Sequence, residues 1–191
     1  MSSARDALPL ELGKLPADQI VPALPKAVWF NAVGTPISED ERDVCSRYLR
    51  GLGAKNCAIV AVSTWDEALA LSRRASWHEK WWERERQEER KLFEQASAAH
   101  SSDAVLLRLA NLMQGSSTLF LSPASLACMR AGANHAAIAK CAAGAAAQCL
   151  HQYGLASIAG QGDQHPFAAK FRLFLAGRWP LSVTHGAFHV F

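Results

Sequence analysis

The stretch whose reading decides the fold is Ala27–Val62, AVWFNAVGTPISEDERDVCSRYLRGLGAKNCAIVAV. Its opening AVWFNAV is apolar except at Asn31, and Gly34 and Pro36 follow, which predicts a buried strand over 27–33. Ser38-Glu39-Asp40-Glu41 then has the S-x-x-E form in which serine and glutamate each satisfy a backbone N–H at a helix start. A helix beginning there places Val44, Cys45, Tyr48, Leu49 and Leu52 on one face, and Gly51 and Gly53 supply the left-handed conformation that ends it. Cys57–Val62, CAIVAV, is a second short apolar run. Strand, helix and strand together predict one βαβ unit with parallel strands and a right-handed crossover.

Beyond this unit the chain turns helical. Thr64-Trp65-Asp66-Glu67 repeats the capping form before Ala68, Leu69 and Leu71, and Ser76-Trp77-His78-Glu79 repeats it again. From Trp77 to Ala99 neither Gly nor Pro occurs, so helix is favoured throughout. The middle of that helix, 83–91, has no apolar residue, which predicts a solvated rod anchored by Trp77, Trp81 and Trp82 at one end and by Leu92 and Phe93 at the other. Opposite charges at Lys80 and Glu83, Arg84 and Glu88, and Arg90 and Glu94 would each add about 0.2–0.5 kcal/mol.

Asp103 is placed to cap a helix through Val105, Leu106, Leu109, Leu112 and Met113, stopped by Gly115. Ser122-Pro123 opens another through Leu126 and Met129. A longer helix, Asn134 to Tyr153, carries the small residues Ala142, Ala145 and Cys149 along a seam that permits close helix approach. Gly154 would terminate it, leaving 155–164 as a loop. Pro166 starts a last helix that spaces Phe167, Phe171 and Phe174 to bury three rings, and Gly177 stops it. Trp179–Val183 and Phe188–Phe191 flank Thr184-His185-Gly186-Ala187, a β-hairpin pattern.

The fold class that follows is α/β (α+β): a small mixed sheet from an N-terminal βαβ unit and a C-terminal β-hairpin, covered by a predominantly helical segment over about 64–177. Residues 27–191 form a single domain on this reading. Residues 1–26 carry Pro9, Pro16, Pro22 and Pro25 among many aliphatic side chains, which predicts an extended arm lying on a surface of its own domain or of a neighbouring subunit.

Composition narrows the functional classes. Of 191 residues half are hydrophobic, enough for a sizeable core, and 20 Lys+Arg against 17 Asp+Glu leave a net charge of only +3. No basic block stands out, and Glu79, Glu83, Glu85, Glu88, Glu89 and Glu94 would repel a phosphate backbone, so nucleic acid is disfavoured. No run approaches the roughly 18–20 apolar residues of a membrane span, and the first residues lack the apolar core of a secretory signal. Cys45, Cys57, Cys128, Cys141 and Cys149 are an odd set without a C-x-x-C pair, which predicts reduced, mostly buried thiols and a cytoplasmic protein.

Chemistry-bearing patterns are sparse. The seven histidines show no H-E-x-x-H or H-x-H, and only His185 and His189, four apart in the predicted hairpin, approach a ligand pair, so neither metal nor cofactor is expected. No G-x-S-x-G or phosphate-loop pattern occurs, and no stretch resembles the signature of a known family. The most unusual local feature is the aromatic and cationic group Trp77, Trp81, Trp82 and Arg84, which predicts binding to another protein or a second copy, with the indoles as apolar anchors and Arg84 as a directional contact. That makes a non-catalytic interaction module or a subunit of a larger assembly the first expectation. The rival is a small enzyme working at the carboxyl ends of the βαβ strands, where Asn31, Gly34, Thr35, Ser63, Thr64 and Asp66 would gather.

Overall fold

A computed structural model of the chain describes residues 24–54, 56–72, 78–133, 136–184 and 186–191. Helix α1 spans Glu39–Gly51, followed by strand β1, Ala58–Ala61, and helix α2, Trp65–Ser72. A helical block continues with α3, Glu79–His100, α4, Ser102–Met113, α5, Ser116–Arg130, and α6, Ala136–Ile158. Helix α7, Pro166–Leu175, leads into strands β2, Pro180–Thr184, and β3, Ala187–Val190.

The molecule is thus an α+β fold in which helices cover a small mixed sheet of order β1-β3-β2. Strand β3 lies at the centre, antiparallel to β2 through the hairpin and parallel to β1, with Ala58 opposite Ala187 and Ala61 opposite Val190. Gly186 takes the positive φ of 83° that the hairpin turn requires. The parallel pair is joined by the entire helical block, as a parallel connection must be by a long crossover. Among the described residues no helix is long and apolar enough to cross a membrane.

The predicted strand over 27–33 does not form. The segment is a tight turn, and Phe30 sits at φ 59°. In a strand the neighbours Trp29 and Phe30 would point to opposite faces; the turn lets both enter the core. Trp29 meets Phe120 edge-on at 4.7 Å, Phe30 meets Phe174 edge-on at 6.2 Å, and the Trp29 indole N–H donates to the Leu24 carbonyl. Gly177, at φ 84°, fixes the turn against the end of α7, because a Cβ there would stand 2.9 Å from the Val28 carbonyl oxygen and the Ala32 nitrogen. The expected βαβ unit is therefore replaced by a turn, a helix and a single strand that finds its parallel partner in β3.

Local signals elsewhere act as their chemistry predicts. Ser38 and Glu41 form the complete capping box of α1. Helix α7 is buried nearly all round and separates two apolar clusters: Phe171 and Phe174 join Trp29, Phe120 and Tyr153 on one side, while Phe167 and Leu173 join Tyr48, Trp81, Leu109 and Phe188 on the other. Burying each such ring contributes about 1.5–3 kcal/mol.

Three helix boundaries differ from expectation. Gly154 does not stop α6; a Cβ there would stand 2.1 Å from Leu112 Cδ2, so the glycine lets α4 lie close against α6 and the helix continues to Ile158. Helix α5 starts at Ser116, before the Ser122-Pro123 signal, and carries Pro123 inside it. Helix α4 is capped by Ser101, whose hydroxyl accepts from Ala104 N–H, with Asp103 in the first turn beyond it. Most of the predicted arm, residues 1–23, lies outside the described residues, as do Ser76 and Trp77.

Candidate functional site

Two places in the molecule gather polar side chains. The first is a cavity of about 480 Å³ beyond the carboxyl end of β1. One wall is the β1–α2 connection, Ser63, Thr64 and Asp66, a second is the turn carrying Asn31 and Gly34, and a third is the end of α5 with Arg130 and Gly132. Phe30, Trp65 and Phe191 supply apolar surface, Trp65 standing edge-on to Phe191 at 4.9 Å.

Each wall is held by identifiable bonds. The Glu67 carboxylate accepts from Ser63 N–H at 2.9 Å while Glu67 N–H donates to Thr64 Oγ1 at 3.1 Å, which fixes the start of α2. The turn is clamped by Arg178, only 3% exposed, whose guanidinium donates to the carbonyls of Ala32, Thr35 and Pro36 and to both oxygens of Glu41. Burial on its own would raise the Glu41 carboxyl; hydrogen bonds from Arg178 and the Ser38 backbone, with the Arg178 charge, outweigh it and hold the group below its usual range. Gly34, at φ 75°, allows the first two walls to touch, since a Cβ there would stand 2.9 Å from the Ser63 carbonyl oxygen.

Inside this frame Asn31, Ser63, Thr64, Asp66 and Arg130 remain exposed to solvent. Arg130 has neither hydrogen bond nor ion pair among the described residues. Of the residues expected at strand ends, Asn31, Gly34, Ser63, Thr64 and Asp66 line the cavity; Thr35 does not, its hydroxyl turning back to the Ala32 carbonyl at 2.7 Å. Arg130 and Gly132 escaped the sequence reading because only tertiary packing brings the end of α5 to β1.

The second gathering is internal. Glu85, in the middle of the helix expected to be solvated, is 3% exposed. Its carboxylate accepts from Lys170 Nζ at 2.6 Å and from the Tyr48 hydroxyl at 2.5 Å. Lys170 also donates to Gln152 Oε1, Gln152 donates onward to Glu89, and Glu89 meets His151 Nδ1 at 3.2 Å on the surface. Burial, then the neighbouring Glu85 charge and hydrogen bond, push the Tyr48 hydroxyl well above its usual range, and burial drives the Cys149 thiol up to about 12. The hydrogen bond from His151 holds Glu89 below its usual range despite partial burial.

The described residues among the four expected to dock a partner differ in their exposure. Trp77 lies outside the described residues. Trp81 is 4% exposed, packed edge-on against Tyr48 with its indole N–H donating to the Tyr48 hydroxyl at 3.2 Å, so it belongs to the core rather than to a surface patch. Trp82 is half-buried, and Arg84 is exposed with one nitrogen 3.4 Å from the Leu52 carbonyl at the end of α1. The ion pair found along α3 is Lys91 with Glu88.

Cys45, Cys128 and Cys149 are buried, Cys57 is half-buried and Cys141 is exposed. Burial pushes the Cys45 thiol to about 12, which disfavours a nucleophilic thiolate. His189 lies 3.0 Å from the Thr184 hydroxyl, His185 lies outside the described residues, and among the described residues no three His, Cys, Asp or Glu side chains converge as metal ligands would. Comparison with protein-family models, with curated proteins and with solved structures finds no match for the chain.

Proposed function

We propose that the chain binds a small polar molecule in the cavity at the carboxyl end of β1, as a ligand-binding protein or small enzyme. The observation that carries this reading is the convergence of two hydroxyls, a carboxamide, a carboxylate and a guanidinium with no partner among the described residues around one cavity of about 480 Å³. Ligand sites typically occupy about 300–1,000 Å³ and use a few convergent polar groups on apolar walls. The position is also the one that sheets with parallel strands use, beyond the strand's carboxyl end and beside the following helix start. Arg130 would meet an anionic group of the ligand, Ser63, Thr64 and Asn31 would orient it, and Asp66 would be the group able to take or give a proton. The unpaired cysteines support a reducing, cytoplasmic setting for this work.

Docking through Trp77, Trp81, Trp82 and Arg84 is the weaker reading, because Trp81 is committed to the core. A protein contact would find better purchase on the exposed Leu107, Leu126 and Met129 of α4 and α5.

Native mass spectrometry of the untagged chain tests the reading. A retained small molecule that is lost in Arg130→Ala, with the fold unchanged by circular dichroism, supports the cavity. Retention of the same molecule by Arg130→Ala and by Asp66→Asn alike would overturn it.

A further inference from the structure

A groove of about 490 Å³ lies where α3, α4 and α6 meet. Its apolar surface comes from Phe93, Leu106, Leu109 and Leu155, and Leu106 is 53% exposed although it faces apolar neighbours. Along one rim α3 presents Arg86, Glu89, Arg90 and Glu94. Spacing of three to four residues puts Arg86, Glu89 and Arg90 on one face of that helix.

These charges are not equivalent. Glu89 is closed off by His151 and by the Gln152 amide. Arg86 and Arg90 line the groove with no hydrogen bond or ion pair among the described residues, although Glu94 stands one turn beyond Arg90. The groove therefore has a greasy body and, along its α3 rim, two guanidinium groups with no side-chain partner among the described residues, with Glu89 turned to His151 and Gln152 and Glu94 one turn beyond Arg90.

We propose that this groove is a second binding site, for a small amphipathic carboxylate: an acyl chain or aryl body lies along Phe93, Leu106, Leu109 and Leu155 while its carboxylate is held by Arg86 and Arg90. The guanidinium fork matches a carboxylate in two hydrogen bonds, which neither an alcohol nor an ammonium head group can use. Glu94 sets the direction, repelling a head group placed at its end. This site shares no residue with the cavity at β1, so it stands or falls independently of the function proposed there.

Decanoate below its micellar concentration is the probe, with decanol as the uncharged control of equal chain length, and binding is followed residue by residue by NMR on the full chain. Decanoate is expected to bind about tenfold more tightly than decanol, as two charge-assisted contacts imply. Its shifts should fall on 86–94, 106–109 and 151–155. Arg86→Gln with Arg90→Gln, both exposed positions, should remove the preference for decanoate while leaving the fold intact. Leu106→Glu should abolish binding of both probes, and Glu94→Gln should tighten decanoate. Equal affinity for decanoate and decanol, an unchanged preference in the double arginine variant, or shifts confined to other surfaces would overturn the proposal.

Discussion

The interior charges at Glu85 and Lys170 and the exposed charge of Arg130 beside the β1 cavity all stand on helices and behave oppositely. Glu85 Oε1 accepts from both Lys170 and Tyr48, Lys170 also donates to Gln152, and the Trp81 indole donates to the Tyr48 hydroxyl. Arg130, at the cavity, has no such partner set among the described residues, and Ser63, Thr64 and Asn31 face water. Where buried charges meet internal partners the group secures the packing of α1, α3, α6 and α7. Where the frame leaves polar groups facing solvent, we propose that it is arranged for something that is not part of the chain. Arg178 shows how the two kinds meet: it is itself saturated, and what it holds is a wall of the open site.

The largest effect that can break this contrast is at the interior pair. Lys170→Met should cost about 3–5 kcal/mol in urea unfolding, because it strands a buried carboxylate. Adding Glu85→Leu should restore much of that loss, since removing both charges leaves an apolar interior; a double variant no better than the single one would show that the pair does more than satisfy itself. Arg178→Lys keeps the charge but loses the fork, and should cost about 1–3 kcal/mol with NMR shifts concentrated at 31–36.

A smaller effect is the pH dependence arising from Glu41. Its folded pKa lies below that of the unfolded chain, so its contribution is complete above about pH 4.5 and is lost as pH falls through the folded value. Glu41→Gln should therefore flatten the stability curve on the acid side, leaving the part that comes from Glu89, which is shifted in the same direction. The smallest effect separates the two regions most cleanly: Arg130→Ala, exposed and unpaired, should change stability by no more than about 0.5 kcal/mol. A large loss there would move Arg130 into the structural class.

What the sequence made legible follows from the range of the interactions involved. Capping at Ser38 and Thr64, the spacing of Phe167, Phe171 and Phe174, and the turn at Gly186 act within a few residues, and they place α1, α2, α7 and the hairpin. The turn at 27–33 was not legible, because adjacent Trp29 and Phe30 look alike in a strand and in a turn; the contact with Gly177, far along the chain, decides it. Glu85 looked solvated for the same reason, its partner lying 85 residues away. A clue was present in Lys170, a cation between Phe167 and Phe171, which could be buried only against a carboxylate. At the cavity, Asn31, Gly34, Ser63, Thr64 and Asp66 were legible as residues near the ends of apolar runs, even though only one of those runs is a strand. Arg130 was not, because nothing local reports where a helix ends in space.

The most direct test of the contrast is a map of NMR shifts produced on the labelled full chain by a library of small polar fragments. Binding at the open site predicts shifts clustered on 31–34, 63–66 and 127–133, with Glu85, Gln152 and Lys170 unmoved. Shifts centred instead on the Glu85 network, or on Trp82 and Arg84 with the cavity silent, would contradict it.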